Sequence, residues 1–124
     1  MPKHSNDRLQ GTIDLLVLKT LNSQGSMHGY AITLHIERIS RSSLKLREGS
    51  LYPALHRMSQ AGWLRATWGA SEKGRRARFY EITTAGRRQL EEEERNWTEL
   101  SSGVARILRH EPGAGSGSTD RSSY

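Results

Sequence analysis

The chain has 124 residues, with 19 Lys or Arg against 13 Asp or Glu for a formal net charge of +6. Its hydrophobic share of 34% and its length leave room for one shared core and no second one. The absence of cysteine excludes disulfides, thiolate metal ligands and cysteine nucleophiles.

The first ten residues are polar, lack the apolar run of a signal peptide, and are expected to form a flexible arm. No segment approaches the length of a membrane span, so a cytoplasmic protein without membrane partners is expected. The basic charge is concentrated. Arg41 to Arg88 holds eleven Lys or Arg against Glu48, Glu72 and Glu81. A polyanion bound there would release its counterions, the largest sequence-independent source of affinity for nucleic acid. A merely solvated basic surface is the competing reading of charge alone.

Thr12 to Leu21 reads TIDLLVLKTL, apolar on nearly every side, which predicts a buried helix. Thr12 is its expected N-cap, Asp14 falls in its first turn, and Gly25 follows as a terminator. A second helix is predicted from about His28 to Ser40, where Ile32, Ile36 and Ile39 recur at i, i+4 and i+7. A third begins near Glu48 to Ser50 and stops before Gly62, with Leu51, Leu55 and Met58 at the same spacing. Pro53 lacks a backbone N–H and so belongs in or near its first turn.

After Trp63 the pattern alternates, with Leu64, Ala66 and Trp68 on one side of a strand and Arg65 and Thr67 on the other. The polar stretch Gly69 to Arg76 predicts a turn, and Arg78 to Ile82 a returning strand. Thr83 or Thr84 then caps a long helix reaching about Arg109. Along it Leu90, Trp97, Leu100, Val104 and Leu108 form an apolar stripe too long for one small domain to cover, which predicts a dimer seam. The Pro/Gly/Ser-rich residues 111–124 are expected to be disordered.

This order predicts a mainly α (α+β) fold: three N-terminal helices, a two-stranded β wing and a long C-terminal dimerisation helix. That is winged helix-turn-helix topology. Residues 1–10 are the arm, 11–83 the DNA-binding domain, 84–110 the dimerisation helix and 111–124 the tail. In such an arrangement the third helix enters the major groove and the hairpin tip reaches the adjoining backbone. The residues expected at double-stranded DNA are Ser50, Tyr52, His56 and Arg57 on the helix and Lys73, Arg75 and Arg76 on the wing. Arg57 either forks onto a guanine edge or clamps a phosphate. Tyr52 either offers its hydroxyl to a phosphate or packs on the second helix.

Catalytic and metal chemistry find no support. His28 and His35, seven residues apart, are separated by about 10 Å along a helix, too far to share a metal. His4, His56 and His110 have no paired partner, and no P-loop, G-x-G-x-x-G or H-E-x-x-H is present. No cofactor and no enzymatic activity are expected. A winged-helix module that binds an acidic protein, rather than DNA, remains the alternative.

Five stretches together resemble the PadR family of bacterial transcriptional regulators: GTIDLLVLKTL (Gly11 to Leu21), MHGYAI (Met27 to Ile32), EGSLYPALHRM (Glu48 to Met58), AGWL (Ala61 to Leu64) and GRRARFYEITTAGRRQL (Gly74 to Leu90). The resemblance covers about Gly11 to Arg109. It implies a homodimer whose C-terminal helix packs on the N-terminal region of the other protomer, and repression by occupation of a promoter operator. It places Ser50, Tyr52, Pro53, His56 and Arg57 on the family's recognition helix and Gly74, Arg75 and Arg76 on its wing. It further implies a small aromatic effector between protomers, with Trp97 resembling the aromatic found there in some relatives. A single C-terminal helix suggests the family's short subgroup.

Overall fold

The computed structural model describes the backbone of residues 3–112 and the side chains from Gly11 onward. Its elements are α1 (Lys3–Gln24), β1 (Met27–His28), α2 (Gly29–Ile39), α3 (Glu48–Gln60), β2 (Leu64–Ala70), β3 (Arg76–Ile82) and α4 (Thr84–Arg109). The helix–helix–helix–hairpin–helix order read from periodicity is therefore the observed one. One boundary differs markedly. The first helix starts at Lys3 rather than Thr12, so residues 3–10, expected as an arm, continue the helical backbone. Gly11 does not stop it, because one interior glycine costs only about 1 kcal/mol. Asp14 is consequently far from the first turn.

The chain divides after Glu94 into two units. In the first, α1 contributes Val17, Leu18 and Leu21 to the core, α2 Ile32 and Ile36, and α3 Leu51, Leu55 and Met58. Each such burial is worth about 1.5–3 kcal/mol, and the i, i+4, i+7 spacing in α2 and α3 is what delivers it. Leu90 near the start of α4 joins the same core at 4% exposure. The expected dimer seam therefore loses Leu90, because the protomer itself covers it.

The wing is part of a three-stranded antiparallel sheet of order β1-β3-β2, one strand more than predicted. The extra strand is two residues long, too short to leave a period-two pattern, and pairs Met27 with Tyr80 and His28 with Phe79. Between β2 and β3, Leu64 faces Ile82, Ala66 faces Tyr80 and Trp68 faces Arg78. Alternation puts these residues on one sheet face, buried at the Leu64 end and open at the Trp68 end.

Thr83 caps α4 and ties it to the end of α3. Its Oγ1 accepts from the Gly86 N–H at 3.0 Å and donates to the Gly62 carbonyl at 2.7 Å, while its own N–H donates to the Trp63 carbonyl at 3.0 Å. The second unit begins within α4 at Arg95 and is helical to Arg109. The tail expected at 111–124 lies, from residue 113 on, outside the described residues. Among those described, no helix is long and apolar enough to cross a membrane.

Candidate nucleic-acid interface

Helix α3 is anchored by Leu51, Ala54, Leu55 and Met58, all buried. Anchoring that stripe turns Ser50, Tyr52 and His56 to solvent, as the sequence predicts for a reading helix. Glu48 in the first turn complements the helix dipole. Pro53 is the sixth residue of α3, in its second turn rather than its first. The backbone bond it cannot make would end on the carbonyl of Gly49, an exposed residue whose carbonyl water can satisfy.

Tyr52 packs on α2, the second of the two placements left open by the sequence. A Cβ built on Gly29 would lie 2.7 Å from the Tyr52 ring, so the ring occupies the space that a side chain at 29 would need. Tyr52 stays 42% exposed, and burial of the rest raises its phenol pKa, with Glu48 and Tyr80 adding to the shift. Beside it, His28 caps α2 by accepting the Ala31 N–H on Nδ1 at 3.3 Å, its ring edge-on to Phe79 at 5.4 Å. In the H-G-Y element, then, His28 caps, Gly29 makes room for Tyr52, and Tyr30 is exposed.

Arg57 departs from its expected role. Its guanidinium forks onto Asp14 of α1, Nη2 donating to Oδ1 at 2.8 Å and Nη1 to Oδ2 at 3.0 Å. Each terminal nitrogen thus commits one N–H to Asp14, which draws the guanidinium towards α1. The hydrogen bonds to Asp14 raise the Arg57 pKa, with the charges of Asp14 and Glu93 acting in the same direction against burial. The missed partner left a trace in the sequence: Asp14 is the one acid in the apolar stretch Thr12 to Leu21, and a buried carboxylate calls for a partner.

The wing turn is closed by Ser71 N–H donating to the Arg75 carbonyl and Gly74 N–H to the Ser71 carbonyl, both at 2.8 Å. Gly74 takes φ +77, the left-handed position of a three-residue hairpin loop. Lys73, Arg75 and Arg76 stand exposed at this tip, as predicted. Two neighbours were not anticipated. Trp68, 58% exposed, carries the Arg76 guanidinium over its ring at 4.4 Å and that of Arg78 at 5.6 Å. The signal lay in the hairpin register, which sets Arg78 directly across from Trp68. Between this face and α2 runs a groove walled by Tyr30, Leu34, Tyr52 and Trp68. Arg65, on the other sheet face, is paired with Glu81 at 2.7 Å.

In the second unit Trp97, Leu100, Val104 and Leu108 are exposed, joined by Ile107, which the sequence reading passed over. Ile107 continues the three-four spacing of Trp97, Leu100 and Val104. Among the described residues no three metal-ligating side chains converge.

Three core helices, a hairpin folded back beside the third, and a long following helix define a winged-helix transcription regulator. The chain belongs to the PadR-like family of transcriptional regulators, whose model matches residues 17–92. That family comprises regulators, not enzymes. The chain is 33% identical over 93 residues to the transcriptional regulator Rv3488 of Mycobacterium tuberculosis, covering 75% of this chain and 83% of that one. Its fold is similar to that of a transcriptional regulator from Clostridium thermocellum, with TM-score 0.71, 26% identity, and 84% and 99% of the two chains covered. It is likewise similar to a PadR-like transcriptional regulator from Bacillus cereus, with TM-score 0.64, 30% identity, and 86% and 96% covered.

Proposed function

We propose that this regulator is a cytoplasmic, homodimeric, sequence-specific DNA-binding repressor. Two copies set their α3 helices in successive major grooves, about 34 Å apart on a palindromic operator. Ser50 and His56 supply polar contacts from α3, with the exposed edge of Tyr52 beside them, and Lys73, Arg75 and Arg76 hold the flanking backbone. One observation carries the reading. Among the described residues, Lys73, Arg75, Arg76 and Arg78 make no ion pair, and they project from the hairpin that adjoins the exposed face of α3. Unpaired cations beside a polar helix face fit a phosphate backbone.

Dimerisation is supported by the apolar stripe of α4. Trp97, Leu100, Val104, Ile107 and Leu108 are each about half exposed or more, and a second copy covers such a stripe without exposing another. Leu100→Glu should leave a monomer in light scattering. Release by a small aromatic effector meeting Trp97 extends the same reading, and its signature is quenching of Trp97 fluorescence together with loss of DNA.

Selection of duplexes from a randomised library tests the function. One enriched, palindromic sequence that shifts in a gel while a scrambled duplex does not is the expected result. Enrichment of no sequence, or equal shifts, contradicts it.

A further inference from the structure

Arg57 was expected to touch DNA, yet its charge is already spent on a carboxylate that cannot do without it. The Asp14 side chain is 6% exposed and that of Arg57 38%, so the carboxylate is inside and the guanidinium lies at the edge of the core. A buried carboxylate without its cation is strongly unfavourable, which ties Arg57 to α1 whether or not DNA is present. Glu93 of α4 also acts on the guanidinium, and Gln89 holds that carboxylate by donating to its Oε2 at 2.8 Å. Arg57 therefore lies in an acidic setting, poorly suited to a phosphate.

The geometry of the contact says what it does instead. Leu51, Leu55 and Met58 fasten α3 to the core through apolar surfaces, whose attraction is non-directional. A fork of two parallel hydrogen bonds fixes distance and orientation together. Seven residues of α-helix turn about 700°, so Ser50 and Arg57 lie within about 20° of the same helix face. Any rotation of α3 that the fork prevents at Arg57 is prevented at Ser50 as well. His56, next in the chain to Arg57, is held by the same constraint.

We infer that Asp14 and Arg57 are positioning residues for DNA recognition: their fork sets the angle at which α3 presents Ser50 and His56, and Arg57 makes no contact with DNA. This rests on the DNA-binding reading above. It predicts that the buried partner matters as much as the exposed one, which no base-reading or phosphate-clamping role for Arg57 does.

The test uses the full chain, a duplex selected from a randomised library by the wild-type protein, and a scrambled duplex, with binding followed by anisotropy across a salt series. Asp14→Asn and Arg57→Gln should each weaken the selected duplex by about tenfold or more, leave the scrambled one unchanged, and leave the salt slope unchanged. The double variant should lose no more than either single one. Arg57→Lys keeps the charge beside Asp14, and with it the fold, but not the fork; it should also lose the selected duplex selectively. Asp14→Asn binding the selected duplex as tightly as wild type, Arg57→Lys behaving as wild type, or a slope reduced by about 0.9 in Arg57→Gln each overturns the inference. Wild-type protein that selects no duplex overturns the DNA-binding reading itself, and the two failures are thus distinct.

Discussion

The Tyr52 ring stands where a side chain on Gly29 would be, 2.7 Å from the Cβ that any other residue would carry. This contact joins the start of α2 to α3 and holds Tyr52 against the protein on one side. Gly29→Ala should displace the ring, at a cost of about 1 kcal/mol in thermal unfolding. In a Tyr52→Ala background the same change should cost nothing, giving a coupling energy of about 1 kcal/mol in a double-mutant cycle.

Tyr52 also predicts a pH dependence. Burial, then Glu48 and Tyr80, raise its phenol pKa above the ordinary 10.0 in the folded chain. A raised acid holds its proton more tightly folded than unfolded, so its contribution is full below the unfolded pKa and is lost as pH rises through the folded value. Melting temperatures should therefore fall above about pH 10, and Tyr52→Phe should flatten that part of the fall. In spectrophotometric titration, the phenolate absorbance missing from Tyr52→Phe should be the part that appears above pH 10.

Gly86 and Gly11 are both helical glycines and should respond oppositely to alanine. A Cβ at Gly86 would overlap the Trp63 carbonyl oxygen and meet the Ile82 side chain, and a backbone oxygen cannot rotate aside. Gly86→Ala should cost about 2 kcal/mol or more by denaturant unfolding. Gly11 has nothing within 4 Å of its Cβ position, so Gly11→Ala should gain up to about 1 kcal/mol through helix propensity.

What could be read from the sequence was what repeats. The stripes of α2 and α3 and the alternation of β2 and β3 recur often enough to show which face is buried, and so that Ser50, His56 and the wing cations are exposed. What escaped was pairwise. The fork between Asp14 and Arg57 joins residues 43 apart, and no local pattern announces which arginine a buried acid will choose. Tyr52 and Gly29 meet across two helices, and Trp68 meets Arg76 and Arg78 across a hairpin. Leu90 was misassigned for a related reason. Spacing shows that α4 has an apolar stripe, but only the packed core shows where the protomer stops covering it.

That wing cations meet phosphates is tested most directly by the salt dependence of binding. On a duplex selected by the wild-type protein, log Kobs should fall linearly with log salt, and Arg75→Ala with Arg76→Ala should make the slope shallower by about 1.8 on selected and scrambled duplexes alike. A slope unchanged by removing both arginines would contradict the proposed interface.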